Sequence, residues 1–280
     1  MQKNGIEQPL VSVIIPTYNS DRFLVKCLES LKRQTWIKVE VIVADDGSTD
    51  TTLEIAEKYE CNVIRNPRRG RAEAKNEGIR RSLGEYLLFV DSDMELTRNV
   101  IGECVELADE DRHIGGIVIP ERSVGSSFWV KVRDFERSFY SGSIVESARF
   151  FPAKLAKEVG GFEEGLIFFE ESTLPYKIQR EKHSVFPRIK AVILHHEEDF
   201  SLTTWLRKKF YYGKTVHLYT SKYGDYSMVQ TSVWFRYALF MKNWRRFLSR
   251  PKLAFGVTLL KSLEYFATTS GLVYSKLKLQ

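Results

Sequence analysis

The chain has 280 residues, of which 43% are hydrophobic and 28% charged, and its formal net charge is +6. This composition supports a packed core and excludes an intrinsically disordered chain. Cys27, Cys61 and Cys104 form no C-x-x-C pair, so we expect small buried side chains in a reducing compartment rather than catalytic thiols. Residues 1–8 are polar, which predicts no signal peptide and an active site that faces the cytoplasm.

Apolar runs alternate with helical patterns from the start of the chain. We expect strands at 10–15, 38–44, 61–65, 85–90 and 114–119, and helices at 21–33, 50–58, 71–81 and 97–109. This alternation predicts an α/β fold with a mostly parallel sheet flanked by helices. Residues 125–200 are less regular, with helices expected at 125–139, 152–159 and 171–182 and strands at 145–151, 184–186 and 190–195.

Two acidic clusters follow predicted buried strands. Asp45-Asp46-Gly47-Ser48-Thr49-Asp50 follows the second strand, and Asp91-Ser92-Asp93 follows the fourth. Ligands of open α/β sheets bind at the carboxyl ends of the strands, so both clusters are placed where a ligand would lie. Two carboxylates in one turn suit Mg²⁺ or Mn²⁺, which commonly hold a diphosphate as well. An isolated Asp-x-Asp triplet is more often a polar turn, and Asp45 is as easily a turn acid as a binding residue.

Several further motifs stand in a fixed order along the chain. They are Val11-Ser12-Val13-Ile14-Ile15-Pro16-Thr17-Tyr18-Asn19, the two acidic clusters, Ala74-Lys75-Asn76-Glu77-Gly78-Ile79 and Gly84-Glu85-Tyr86 between those clusters, Gly160-Gly161-Phe162-Glu163-Glu164, and Glu170-Glu171. This ordered set, over about residues 10–200, resembles the family-2 glycosyltransferases of the GT-A fold. The resemblance implies an inverting, metal-dependent enzyme that uses a nucleoside-diphosphate sugar.

The resemblance implies a donor site at the ends of the first strands. Thr17 and Tyr18 match positions that border the nucleotide, and Asp46 matches the acid that accepts the imide N–H of a uracil or thymine ring. Lys75 stands where the family more often has Arg and could face the diphosphate, but beside two glutamates it could equally be a solvated surface charge. The arginines of 68–71 carry the same ambiguity.

The resemblance also implies the metal ligands. Asp93 matches the acid that binds Mg²⁺ or Mn²⁺, whereas Asp91 contacts the ribose, a metal-bound water or the metal. A histidine at the end of the last strand, here His195 or His196, serves some GT-A enzymes as a third ligand, and we take His196 as the candidate. A lone histidine pair is more often structural.

Glu170-Glu171 occupies the place of the family's Glu-Asp pair, in which the second acid is the catalytic base. Inversion by a single displacement needs a base for the acceptor hydroxyl, so the resemblance assigns that role to Glu171, with Glu170 beside it. Glu171 is one methylene longer than the usual Asp, which leaves the identity of the base open. The alternative is that both acids only favour the start of the next helix, where Pro175 must lie in the first turn.

The C-terminal region differs in composition from the rest. Residues 201–280 carry 14 Lys and Arg against Asp225 and Glu264, a formal charge of +12, and hold 17 of the 36 aromatic residues. Amphipathic helices are expected at 205–214 and 232–248, and a longer apolar one at 253–274 that contains Lys261 and Glu264. Cations beside aromatic side chains favour a helix at a membrane interface. A true membrane span and a purely structural cover of the catalytic domain are the alternatives.

Together these observations predict a catalytic domain at 1–200 and a C-terminal helical, basic, aromatic-rich region at 201–280. We expect an inverting transferase that takes UDP-, dTDP- or GDP-sugar and acts on a lipid-linked or glycan acceptor. It would lie peripherally on the inner face of the cell membrane and bind no nucleic acid, because no nucleic-acid module accompanies the basic tail. The alternative is a degenerate nucleotide-sugar or carbohydrate-binding protein.

Overall fold

A computed structural model describes residues 8–111, 113–182 and 184–278. All but the last of the polar residues at 1–8 lie outside these ranges. The chain divides into two compact units. Unit 1 comprises residues 1–120, 147–165 and 170–194, and unit 2 comprises residues 121–146, 166–169 and 195–280. Residues 121–146 therefore group with the C-terminal helices, whereas the predicted functional division at residue 200 stays a prediction.

The described residues form nine strands and twelve α-helices. The strands are β1 (Val11–Thr17), β2 (Val39–Asp45), β3 (Asn62–Arg65), β4 (Tyr86–Phe89), β5 (Met94–Leu96), β6 (Ile117–Val118), β7 (Glu121–Val124), β8 (Ala148–Pro152) and β9 (Ile193–His196). The helices are α1 (Asp21–Lys32), α2 (Thr52–Lys58), α3 (Arg71–Arg81), α4 (Val100–Glu110), α5 (Phe128–Arg137), α6 (Ala153–Glu158), α7 (Thr173–Lys182), α8 (Leu202–Gly213), α9 (Val216–Thr231), α10 (Val233–Lys242), α11 (Trp244–Leu248) and α12 (Pro251–Lys278). A 3₁₀ turn spans Glu170–Ser172.

Unit 1 is built on a six-stranded sheet in the order β3-β2-β1-β4-β8-β6. The first four strands are parallel, whereas β8 runs antiparallel to both β4 and β6. All seven residues of β1 are buried, as expected for a central strand with helices on both faces. The predicted α/β fold with a mostly parallel sheet is confirmed.

Helix α3 packs very closely on strand β1. A Cβ atom built on Gly78 would lie 2.5 Å from Cγ2 of Ile14, a separation that no real side chain tolerates. The helix can therefore approach the sheet only because residue 78 has no side chain. This contact fixes the position of Lys75, one turn earlier on the same helix.

Unit 2 is mostly helical. Its apolar core joins α5 to α10 and α12 through Val132, Phe240 and Val257, and includes Phe139, which follows α5. Lys261 and Glu264, the two charges of α12 noted above, form an ion pair at 2.6 Å, and Glu136 of α5 lies equally close to the Lys261 ammonium. No helix within the described ranges has both the length and the apolarity that a membrane crossing requires.

The sequence-based element assignment missed some elements and misplaced others. Strands β5 and β7 and helix α9 were not predicted, and the expected strand at 184–186 is only an isolated bridge at Val185. The expected helix at 232–248 is two helices that meet at Asn243, whose side chain donates to the Leu239 carbonyl. Helix α2 begins at Thr52 rather than at Asp50, because Asp50 instead accepts hydrogen bonds from the backbone N–H and hydroxyl of Thr52.

Candidate active site

The turn after β2 is organised by Asp45. Thr17 and Asp45 are partners in the parallel register, and the Thr17 hydroxyl donates to Oδ1 of Asp45 at 2.9 Å. The other oxygen of Asp45 accepts the backbone N–H groups of Gly47 and Ser48 at 3.1 and 2.8 Å. Gly47 has φ +86°, a conformation that favours glycine. Asp45 is therefore a buried turn acid.

Asp46 joins the end of β1 to the loop before α3. Its N–H donates to the Thr17 carbonyl at 2.8 Å. Its carboxylate accepts the N–H groups of Arg69 and Gly70 at 2.7 and 3.0 Å. The Arg68 guanidinium lies 4.6 Å from the centre of the Tyr18 ring. Thr17, Tyr18 and Asp46, the three predicted nucleotide-binding residues of this edge, thus lie together.

The Asp91-Ser92-Asp93 turn lies at the same edge of the sheet. The Val90 N–H donates to the Ile14 carbonyl at 3.1 Å, which keeps the end of β4 beside β1. The Ser92 hydroxyl donates to Oγ of Ser20 at 3.0 Å. Asp91 forms an ion pair with Arg149 at 3.2 Å. Both Asp91 and Asp93 are half-buried.

The chemistry of this turn fits a divalent cation. Mg²⁺ is usually bound through one or two carboxylates together with substrate phosphates rather than in a complete protein cage. Asp91 and Asp93 supply two such carboxylates. In the described part of the chain, no three His, Cys, Asp or Glu side chains converge as a metal site.

The two histidines at the end of β9 have protein partners in unit 2. Nδ1 of His195 lies 2.9 Å from the Arg137 guanidinium, in a cluster with Glu121 and Glu197. Nδ1 of His196 lies 3.0 Å from the Glu198 carboxylate. The predicted metal-binding role of His196 stays a prediction.

Glu170 is a buried acid between two cations. Its side chain is only 1% exposed, and its Oε1 lies 3.0 Å from the Arg71 guanidinium and 3.8 Å from the Lys75 ammonium. Burial and the neighbouring charge of Glu171 raise the pKa of Glu170 to about 8 despite these cations. Neither carboxyl oxygen of Glu170 accepts a hydrogen bond from a described residue, so its contacts with Arg71 and Lys75 are ion pairs alone.

The pKa of Glu171 shifts in the opposite direction. Burial disfavours its carboxylate, but hydrogen bonding with Glu170 and the charges of Arg71 and Lys75 outweigh burial and lower the pKa of Glu171. A neutral Glu170 can donate its proton in a hydrogen bond to an ionised Glu171. Two adjacent acids with divergent pKa values are a common arrangement for acid–base chemistry. Pro175 is the third residue of α7 and lies in its first turn, as predicted.

Lys75 is not a surface charge. It is 2% exposed, and its ammonium lies 5.1 Å from the centre of the Phe162 ring. The alternative of a solvated lysine is therefore wrong. Arg71 belongs to the same group through its ion pair with Glu170.

Sequence reasoning missed two residues of this unit. Asn76 accepts from the Phe162 N–H at 2.8 Å and donates to the Phe162 carbonyl at 3.0 Å, which ties α3 to the loop after Gly160-Gly161. The sequence feature that could have indicated Asn76 is a polar residue on the buried side of a predicted helix. Arg149 pairs with Asp91 across adjacent antiparallel strands, a partnership that no local pattern in the sequence indicates.

The sequence model of the family described as "Glycosyl transferase family 2" matches residues 12–161. This range is more than half of the chain and includes the strand ends described above. The chain belongs to glycosyl transferase family 2.

Characterised and uncharacterised relatives match parts of the chain. It shares 38% identity over 136 residues with "Glycosyltransferase GlyG" of Streptococcus pneumoniae, a match over 45% of each protein. It is 36% identical over 107 residues to the "Poly(ribitol-phosphate) beta-N-acetylglucosaminyltransferase TarS" of Staphylococcus aureus, across 35% of this chain and 19% of TarS. The chain thus spans less than half of these relatives.

Solved structures share the fold at low identity. The mannosyltransferase PcManGT from Pyrobaculum calidifontis, in complex with GDP-Man and Mn²⁺, matches with a TM-score of 0.67 and 18% identity over 96% of this chain and 88% of that protein. S. aureus TarS 1-349 in complex with UDP-GlcNAc matches with a TM-score of 0.59 and 20% identity over 95% and 89%. These similarities support a GT-A architecture.

Proposed function

We propose that this chain is an inverting glycosyltransferase that moves a sugar from a nucleoside-diphosphate sugar to an acceptor hydroxyl or phosphate. The observation that carries the proposal is the buried Glu170 carboxyl group beside Glu171, within 4 Å of the cations of Arg71 and Lys75. The pKa values of the two acids shift in opposite directions. Residues 12–161 of the same chain match glycosyl transferase family 2. Membership of glycosyl transferase family 2 favours this proposal over a degenerate binding protein.

Glu171 is the proposed catalytic base. Its depressed pKa keeps it ionised at neutral pH, so its carboxylate can accept the proton of the acceptor hydroxyl as the new bond forms. The sugar is displaced with inversion, and the nucleoside diphosphate leaves. Glu170 stays protonated and holds the Glu171 carboxylate in place by hydrogen bonding.

The donor nucleotide is proposed to lie at the ends of β1, β2 and β4. Thr17, Tyr18 and Asp46 border the base and ribose, with Asp46 already held in position by two backbone N–H groups. Asp91 contacts the ribose or the cation. Lys75 adds a buried positive charge on the diphosphate side of the site.

Asp93 and Asp91 are the proposed ligands of Mg²⁺ or Mn²⁺, with His196 as a third candidate. A bound cation would neutralise charge on the diphosphate leaving group. The protein's part is to supply two carboxylates in one turn beside β1. Mn²⁺ accompanies GDP-Man in the PcManGT complex, which supports testing that cation first.

The acceptor is proposed to be lipid-linked, or a growing glycan on a lipid, at the cytoplasmic face of the membrane. The support is the formal charge of +12 and the 17 aromatic residues of 201–280, which suit an anionic bilayer surface. Free thiols at Cys27, Cys61 and Cys104 agree with a reducing compartment.

The direct test is a screen of nucleotide-sugar hydrolysis across UDP-, dTDP- and GDP-sugars with Mn²⁺ or Mg²⁺. We expect one donor class to be turned over and EDTA to abolish the reaction. Glu171→Gln serves as the matched inactive control. Binding of a nucleotide sugar without turnover of any donor, in the presence of vesicle-borne acceptors, would instead support the degenerate binding protein.

A further inference from the structure

Helix α12 presents a narrow apolar stripe to solvent. Its members are Phe255, Leu259, Phe266, Val273 and Leu277, all of them exposed. At about 100° per residue these five side chains project within about 40° of one another along about 33 Å of the helix. The opposite face carries the buried residues, among them Val257, Leu260 and Glu264. The stripe is therefore a second apolar face, separate from the one that packs inside unit 2.

The C-terminal half of the stripe borders a groove. Phe266, Val273 and Leu277 line it together with Phe210 of α8 and with Tyr274. Two cations flank Tyr274, because the Lys214 ammonium lies 5.0 Å and the Lys278 ammonium 5.3 Å from its ring centre. An apolar floor with lysines at its rim suits an acyl chain below a phosphate headgroup.

The segment before α12 adds exposed apolar side chains and positive charge. Met241 of α10 and Trp244 and Leu248 of α11 are exposed, whereas Phe247 of α11 stacks on Phe240 with ring centres 5.1 Å apart. The same stretch of chain holds five exposed cations: Lys242, Arg245, Arg246, Arg250 and Lys252. No Asp or Glu occurs between Asp225 and Glu264. The stretch is therefore basic without an acid of its own to offset the charge.

We propose that the α12 stripe and the 241–252 segment together form the lipid-contacting face of this protein, with an anionic bilayer as the partner. This inference rests on the membrane location in the proposed function and names the surface responsible. Apolar side chains in the middle of α12 and cations at 252, 276 and 278 near its ends match a helix that lies in the interface plane. A second copy of the chain fits less well, because the cations of two such faces would repel each other.

The test uses vesicles of phosphatidylglycerol and phosphatidylcholine, and vesicles of phosphatidylcholine alone, with the full chain. The stripe variant is Phe255→Ser/Phe266→Ser/Val273→Ser, whose three side chains are 69%, 74% and 51% exposed, so folding should survive. The matched control is Ile37→Ser/Leu83→Ser, which removes apolar side chains of 83% and 80% exposure in unit 1.

We expect wild type and control to co-sediment with the anionic vesicles, and this binding should weaken as salt rises. The partition coefficient of the stripe variant on the same vesicles should be at least about ten-fold lower than that of wild type. Wild-type partitioning by the stripe variant would overturn the proposal. So would sedimentation equilibrium showing wild-type dimers that the stripe variant cannot form, with no vesicle binding by either. Nucleotide-sugar hydrolysis is measured on the same preparations, so that failure of this proposal can be told apart from failure of the proposed function. Vesicle binding without hydrolysis would refute the transferase activity but would still support the lipid-contacting face.

Discussion

Lys75 and Glu170 lie 3.8 Å apart, and both side chains are almost completely buried. The lysine is on α3, and the glutamate begins the 3₁₀ turn before α7. Two charges removed from water cost free energy unless they are well paired. At this distance the pairing is loose, and burial together with the charge of Glu171 keeps the pKa of the Glu170 carboxyl group raised. The candidate acid pair is thus set by packing between segments far apart in sequence.

The raised pKa of Glu170 makes a prediction about stability and pH. Its folded value of about 8 exceeds its ordinary value of 4.5, so the folded state binds an extra proton between these values. Stability contributed by this group is present below about pH 4.5 and is lost as pH rises towards about 8. Glu170→Gln removes this dependence. Urea unfolding measures the free energy of unfolding of both proteins at several pH values. As pH rises from about 4.5 to about 8, the variant should become more stable relative to wild type. A difference in unfolding free energy that does not change with pH would contradict the raised pKa of Glu170.

Arg149 offsets the negative charge of the Asp91-Ser92-Asp93 turn. We predict that Arg149→Gln tightens Mn²⁺ binding in the absence of nucleotide by about five-fold, the ~1 kcal/mol of a charge pair in water. Titration calorimetry with Mn²⁺ measures the change. Arg65→Gln, which breaks the exposed pair with Glu57, is the control and should leave Mn²⁺ affinity unchanged. Equal Mn²⁺ affinity in wild type and Arg149→Gln would show that Asp91 takes no part in cation binding.

Asp93→Ala should abolish sugar transfer and metal-dependent nucleotide binding while the fold persists, because an acid at a strand end contributes little to the core. Mn²⁺-dependent titration with the nucleoside diphosphate and a circular dichroism melt measure both effects. The exposed Asp111→Ala is the control. Undiminished turnover by Asp93→Ala, or full wild-type activity in EDTA, would rule out the metal assignment.

Gly78→Ala should destabilise the protein by about 1–3 kcal/mol, the usual range for an overpacked contact. The new Cβ would lie 2.5 Å from Ile14 and would push α3, with Lys75, away from β1. Gly102→Ala on α4 is the matched control, since its Cβ would be 3.4 Å from Thr35 and the helix propensity of alanine favours it. Denaturant unfolding compares the two. Equal stability of both variants would show that α3 can shift without cost.

Much of unit 1 was predictable because its signals are local. The apolar runs of β1, β2 and β4 and the acids at their ends follow from strand length and turn chemistry, and the structure has them within a few residues of the predicted positions. Strands β5 and β7 carry no such signal, because they are short and mix charged with apolar residues.

The electrostatic state of the site was not predictable in the same way. Glu170 and Glu171 are identical side chains next to each other in the sequence, and the opposite directions of their pKa shifts arise from burial and from the interaction between the two carboxyl groups. The same holds for Lys75, whose neighbours in sequence suggest a solvated charge while tertiary packing buries it. The α12 stripe was predictable only in part. The spacing of its apolar residues can be read from the sequence, but their exposure to solvent cannot.

The central claim is that Glu171 is the base of an inverting transfer, and one kinetic comparison tests it most directly. Glu171→Gln and Glu170→Gln would be measured side by side for donor affinity and for the rate of transfer, with the anomeric product identified by NMR. The account predicts that Glu171→Gln keeps donor affinity but transfers about 10²-fold more slowly or worse, while Glu170→Gln keeps most of its rate and the product is inverted. The account would be contradicted if Glu170→Gln lost most of its transfer rate while Glu171→Gln kept a nearly normal rate, or if the product had retained anomeric configuration.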